Sequence, residues 1–117
     1  MSEGFHIVLA EADFPDEDKF AAKIAGWHVL ICRIDDAYHA VNDRCTHAAS
    51  KLSTGRIRRG AVMCPLHGAR FDVASGKCLG GEYRALRKFP LRIVSGKIEV
   101  AVPVTPPGME DLPITPL

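Results

Sequence analysis

Two short segments hold the residues best suited to chemistry: Cys45-Thr46-His47 and Cys64-Pro65-Leu66-His67-Gly68. The pattern is Cys-x-His, sixteen intervening residues, then Cys-x-x-His. Each segment offers one thiolate and one imidazole. Four such donors can hold a structural Zn²⁺, which accepts a Cys₂His₂ set. They can also hold a [2Fe–2S] cluster asymmetrically, with the cysteines on one iron and the histidines on the other. One Cys and one His per segment is unlike the paired Cys followed by paired His of a zinc finger, and favours the cluster. The choice matters for redox chemistry. Two neutral imidazoles in place of two thiolates make the oxidised core less negative, so an electron is added more easily and the reduction potential rises.

Loops that must converge on a metal need firm bases, and the flanking sequence supplies strands. The chain reads as short strands separated by turns, with no long amphipathic helix. Phe5 to Leu9, Lys19 to Ala25, Trp27 to Ile34 and Tyr38 to Val41 are predicted strands, and Asp35-Asp36 a tight turn. The first ligand segment follows at once. Lys51 to Gly60 is polar and basic and reads as loop. Ala61 to Met63 leads directly into the second ligand segment, Ala69 to Val73 returns from it, and Ser75-Gly76 turns the chain. Phe89 to Val94, Ser95-Gly96 and Lys97 to Val102 form a predicted hairpin. Five prolines among residues 103 to 117 stop any further strand. The predicted fold is therefore all-β: an antiparallel β-sandwich body over residues 1–103, a small cluster-binding subdomain at about 43–82 made of the two ligand loops, and a Pro-rich tail over 104–117 that is extended over the surface or disordered.

The 117 residues fit one domain of ordinary globular composition, 47% apolar and 25% charged. No apolar run exceeds four residues, as at Val29 to Cys32, far short of a membrane span. The N-terminal residues do not read as a signal peptide. A reducing cytoplasm is the expected location, and it would keep the cysteines available as ligands. The net charge of +1 conceals an asymmetry. Residues 44 to 92 hold eleven Lys and Arg against Asp72 and Glu82, whereas the rest hold four basic and twelve acidic residues. Such a distribution can steer docking, or it can be an ordinary solvated surface. Nucleic-acid binding is disfavoured, because aromatics are not interleaved with the basic residues.

From about Val41 to Leu79, through Cys-Pro-Leu-His-Gly-Ala-Arg-Phe-Asp and Ser-Gly-Lys, the chain resembles a Rieske protein. Both ligand boxes and the gap between them match. The resemblance implies one Rieske-type [2Fe–2S] cluster, with Cys45 and Cys64 as ligands to one iron and His47 and His67 to the other. The high-potential subtype of quinol-oxidising membrane complexes has an extra cysteine in each loop, forming a disulfide, and Ser and Tyr hydroxyls bonded to the cluster sulfurs. The matching positions here are Ser50, Leu66, Ala69 and Phe71, so neither the disulfide nor those hydroxyls can be present. Fewer donors to the sulfurs imply a lower potential. The chain is thus similar to the ferredoxin component of bacterial aromatic-ring-hydroxylating oxygenase systems.

That resemblance implies an electron carrier and not an enzyme, with two partners: an NAD(P)H-dependent flavin reductase and a terminal oxygenase. No nucleotide-binding Gly-x-Gly-x-x-Gly element is present, and no second domain holds a mononuclear iron site. The alternative is a Rieske-like small subunit of a larger reductase such as assimilatory nitrite reductase. A monomer that docks around His47 and His67 is expected, with Arg44, Lys51, Arg56, Arg58, Arg59 and Arg70 as a basic rim. Relatives often cover the cluster with a proline-containing third loop; Gly80-Gly81-Glu82-Tyr83 lacks the proline, which leaves Tyr83 as a shield. Gly68 reads either as a residue that lets the second loop pass close to the cluster or as a turn glycine. Cys32 is expected to be a buried thiol and Cys78 partly exposed, neither a ligand. His6, His28 and His39 read as structural or surface residues, and Trp27 and Phe89 as core.

Overall fold

A computed structural model describes residues 3–46, 49–65, 68–80 and 83–113. His47, Leu66, His67, Gly81 and Glu82 lie outside the described residues. The strands are β1 (Glu3–Ala10), β2 (Lys19–Ile24), β3 (Trp27–Ile34), β4 (Ala37–Asn42), β5 (Ile57–Arg58), β6 (Ala61–Met63), β7 (Arg70–Asp72), β8 (Lys88–Phe89), β9 (Leu91–Val94) and β10 (Lys97–Pro103). They form three antiparallel sheets, ordered β1-β10-β9, β2-β3-β4-β8 and β5-β6-β7. The all-β expectation holds.

Strand β3 explains the layering. Its residues Val29 to Cys32 are all buried. Successive side chains point to opposite faces of a sheet. Trp27, Val29 and Ile31 therefore enter one core, with Phe14, Phe89, Ile98, Val100 and Val102. Leu30 and Cys32 enter a second core, with Val41, Leu52, Val62, Phe71 and Val73. A strand buried on both faces reads as a continuous apolar run, as Val29 to Cys32 does. The first core joins the middle sheet to β1-β10-β9. The second joins it to β5-β6-β7 and to the two cysteine loops.

Four two-residue hairpin turns set the registers. Ala25-Gly26, Asp35-Asp36, Arg59-Gly60 and Ser95-Gly96 each have positive φ at both positions. This is the turn geometry whose twist matches that of paired strands. The sequence shows most of these elements, with two differences. Phe89 to Val94 is not one strand. Pro90 has no N–H to give to a ladder, so the chain changes sheet there: Phe89 pairs with Ala40 of the middle sheet and Leu91 with Val100 of the outer one. The other difference is β5, two residues inside a stretch predicted as loop, where Ile57 pairs with Val62.

Past β10 the described part of the tail runs back across the body. Thr105 O accepts a hydrogen bond from Trp27 Nε1 at 3.1 Å. Residues Met109–Asp111 make a single 3₁₀ turn, and Asp111 is buried.

Candidate metal centre

Strand β4 delivers the chain to Cys45, and β6 delivers it to Cys64. The two loops close in the same way. Cys45 N donates to Ser50 O at 2.8 Å, and Ala49 N donates to Cys45 O at 2.9 Å. Cys64 N donates to Ala69 O at 2.7 Å, and Gly68 N donates to Cys64 O at 3.1 Å. In both loops the fourth residue after the cysteine has positive φ, 59° at Ala49 and 74° at Gly68. That inversion turns the chain back toward the cysteine in each loop. Both cysteines are buried, with relative exposures of 0% and 1%, in the core that also holds Phe71 and Val62. No disulfide involves any of the four cysteines.

Neighbouring groups hold these loops. Asp43, 2% exposed, accepts a hydrogen bond at Oδ1 from Ser53 N at 2.8 Å, and its own N–H donates to His28 O at 2.9 Å. Thr46 Oγ1 donates to Arg84 O at 2.6 Å, which ties the first loop to the segment after the third. Leu79 N donates to Arg70 O at 2.8 Å, and Phe71 bridges to Cys78. Ala69 and Tyr83 pack against the core that contains Cys45 and Cys64, a position consistent with Tyr83 as a shield.

The other sequence candidates separate clearly. Cys32 is fully buried in the same core, and burial together with the charge of Asp43 pushes its thiol pKa up to about 12. It stays protonated and unreactive. Cys78 is buried, not partly exposed as predicted, because its bridge to Phe71 draws it under the small sheet. The pKa of His28 is lowered by burial and by Lys51 and Lys23, and that of His39 by burial and Lys88. Both fit structural roles. His6 is exposed on β1.

The six-residue basic rim does not form one group. Arg56, Arg58, Arg59 and Arg70 line a cleft of about 260 Å³ floored by Ala61, Met63 and Leu79. Among the described residues, the ion pairs are Arg33–Asp18, Arg87–Asp111 and Arg92–Glu99, so these four guanidiniums have no carboxylate partner there. Arg44 is elsewhere, its Nε donating to Leu112 O at 3.1 Å. Lys51 is half-buried, close enough to His28 to affect its titration. Sequence reasoning missed Arg84 and Arg87, which line a second cleft with Arg44, Asn42 and Asp111. Their charge was visible in the composition of residues 44–92, but their meeting with the tail was not.

The Rieske [2Fe–2S] domain family matches residues 4–90. The chain belongs to the Rieske family. It carries one Rieske-type [2Fe–2S] cluster and is an electron-transfer protein of the ferredoxin kind rather than a catalyst. The donor set suits that group: two buried thiols at equivalent positions of two alike loops, each loop with a histidine two or three residues further on. The match decides between the cluster and zinc. A relative 39% identical over 80% of this chain and 89% of its own length is the anthranilate 1,2-dioxygenase ferredoxin subunit of Burkholderia cepacia. A solved complex of reduced oxygenase and oxidized ferredoxin in carbazole 1,9a-dioxygenase contains a similar chain, with TM-score 0.77 and 26% identity over 83% of this chain and 92% of that one. A chain described as the small subunit of an NADH-dependent nitrite reductase from Mycobacterium tuberculosis aligns with TM-score 0.75 at 23% identity, over 86% of this chain and 96% of that one, and shares the fold. Among the described residues no helix is long and apolar enough to cross a membrane.

Proposed function

We propose that this protein is a low-potential one-electron carrier. It takes electrons from an NAD(P)H-dependent flavin reductase and gives them to a terminal aromatic-ring-hydroxylating oxygenase in the cytoplasm. The ligands are Cys45 and Cys64 on one iron and His47 and His67 on the other. The observation that carries this reading is the equivalence of the two loops, with both cysteines buried in a single core. The cluster, when bound, supplies reversible one-electron chemistry. The chain's own residues keep water from the thiolate side by burying both cysteines in one core. Phe71, fully buried in the core with the two cysteines, brings no hydroxyl to the sulfurs, which supports a low potential.

The relatives named above support the carrier reading over the small reductase subunit, since the ferredoxin subunit is 39% identical and the nitrite reductase chain only 23%. The four-arginine cleft supports an acidic docking partner, and the proposed rim is narrowed to Arg56, Arg58, Arg59 and Arg70. A redox titration of the purified protein, followed by electron paramagnetic resonance, tests the reading. A Rieske signal with a midpoint near the low end of the family range, roughly −150 mV, is expected. A midpoint of roughly +300 mV would overturn the low-potential assignment, and colourless protein without signal would overturn the cluster ligands.

A further inference from the structure

The family match ends at residue 90, and the tail beyond β10 makes contacts that converge on one place. Asn42 Nδ2 donates to Asp111 O at 2.9 Å, and Arg44 Nε donates to Leu112 O at 3.1 Å. These two residues flank Asp43 on the step from β4 into Cys45. Arg87 joins them: its Nε lies 3.4 Å from Asp111 Oδ1, and its backbone O accepts from Asn42 N at 2.8 Å. The same guanidinium lies 5.0 Å over the Trp27 ring, and Trp27 in turn donates to Thr105 O. Asn42 and Asp111 are both buried, at 4% and 9% exposure. Asn42 Oδ1 has no hydrogen-bond partner among the described residues, so the tail carbonyl is what fixes this amide.

The second ligand loop closes in the same way, but its two arms are paired within a small sheet of their own, Met63 with Arg70, and Leu79 N donates to Arg70 O beside them. Among the described residues, the tail's hydrogen bonds to Trp27, Asn42, Arg44 and Arg87 do not reach it. Among the described residues no such sheet surrounds the first loop, and the tail supplies an external brace.

We propose that residues 104–113 are a strap that positions the first ligand loop, with Asp111 and Leu112 acting through Asn42 and Arg44 on the backbone that enters Cys45. Without the strap, residues 42–44 meet water and the loop opens locally more often. Water closer to a site that becomes more negative on reduction favours the reduced state, so the potential rises. The inference rests on the ligand assignment proposed above. Its readouts compare variants with the intact holoprotein, whose iron content tests that assignment separately.

The experiment uses the holoprotein, a chain ending at Pro103, and the full chain with Arg44→Met, which keeps the stem and removes the donor. Midpoint potential and the rate of iron release to a chelator are measured beside thermal unfolding. A raised potential and iron release about tenfold faster in the shortened chain, with a smaller change in the same direction for Arg44→Met, are expected. Asp111→Asn should change little, because the strap carbonyls remain. Unchanged potential and release rate in both altered chains would overturn the strap's role even if the melting temperature fell. If the shortened chain does not fold, unchanged values in Arg44→Met alone overturn it.

Discussion

Ala49 and Gly68 occupy the same position in the two ligand loops, each donating its N–H to the carbonyl of the cysteine four residues earlier, and each with positive φ. Only one of them is a glycine. A residue with a Cβ costs about 1–2 kcal/mol in this conformation, so the first loop is strained where the second is not. Ala49→Gly should raise stability by about 0.5–1 kcal/mol. Gly68→Ala should lower it by about 1 kcal/mol, and no more, since a Cβ there meets nothing within 4 Å. Denaturant unfolding of both variants measures the pair, and equal effects of the same sign would show that the two loops are not equivalent.

Gly55 is constrained by contact and not by φ. A Cβ on it would lie 1.8 Å from Met63 O, the carbonyl just before Cys64. The segment cannot retreat easily, because Lys19 Nζ donates to both Ser53 O and Gly55 O at 2.6 Å and Met63 N donates to Arg56 O at 2.8 Å. Gly55→Ala should cost more than about 3 kcal/mol and yield protein with little iron. Near-normal melting with full iron content would show that the close approach of Gly55 to Met63 is not needed.

The sequence made some of this visible and not the rest, for reasons that can be located. Trp27 to Ile34 was readable because a strand buried on both faces cannot hide among polar residues. The ligand boxes were readable because their chemistry is local: donor types at fixed short spacing. Pro90 marked a break that the hydrophobic pattern of Phe89 to Val94 concealed, since both halves are apolar and only the pairing partners differ. The division of the arginines was not readable at all. Arg44 and Arg56 look alike in a charge count, yet one is tied to Leu112 and the other lines a cleft whose arginines have no carboxylate partner among the described residues. Contacts at separations such as 68 residues between Arg44 and Leu112 leave no trace in local composition.

Cys32 gives the alkaline behaviour a defined sign. Its thiol pKa is raised in the folded protein from 9.0 to about 12 by burial first and then by Asp43. The folded state therefore holds the proton after the unfolded state has released it. The resulting stability is fully present below pH 9, declines as pH rises, and is lost by about pH 12. Cys32→Ala, which removes the titrating group, should flatten that part of the stability–pH curve and leave the iron content unchanged. An unchanged alkaline slope in the variant, after correction for the lost sulfur packing, would count against a buried protonated thiol.

The four-arginine cleft predicts a salt effect on partner encounter. Arg58 sits in β5, and Arg59 follows it in a turn with φ 51°, so a charge reversal at both leaves the core untouched. Electron transfer to the terminal oxygenase, followed by stopped-flow mixing, should slow at least about tenfold at low salt in Arg58→Glu/Arg59→Glu. The gap between variant and parent should narrow near 1 M salt, where screening acts over about 3 Å. Rates independent of salt in the parent protein would place docking elsewhere.

Phe71 is the residue through which the potential can be changed from inside. It is fully buried, pairs with Val62 on β6 and shares its core with Cys45 and Cys64. By the resemblance drawn from the sequence, its position matches a Tyr of the high-potential subtype. Phe71→Tyr places a donor among groups that include the thiolate sulfurs. A hydrogen bond to sulfur withdraws charge from the reduced, more negative state and raises the midpoint by some tens of mV within the family span of about −150 to +300 mV. The buried hydroxyl carries its own cost of about 1–3 kcal/mol if it finds no partner. The two outcomes are therefore separable. A raised potential with nearly unchanged melting temperature means that the hydroxyl reaches sulfur. An unchanged potential with a lower melting temperature means that it does not, and would locate the difference between the subtypes outside this position.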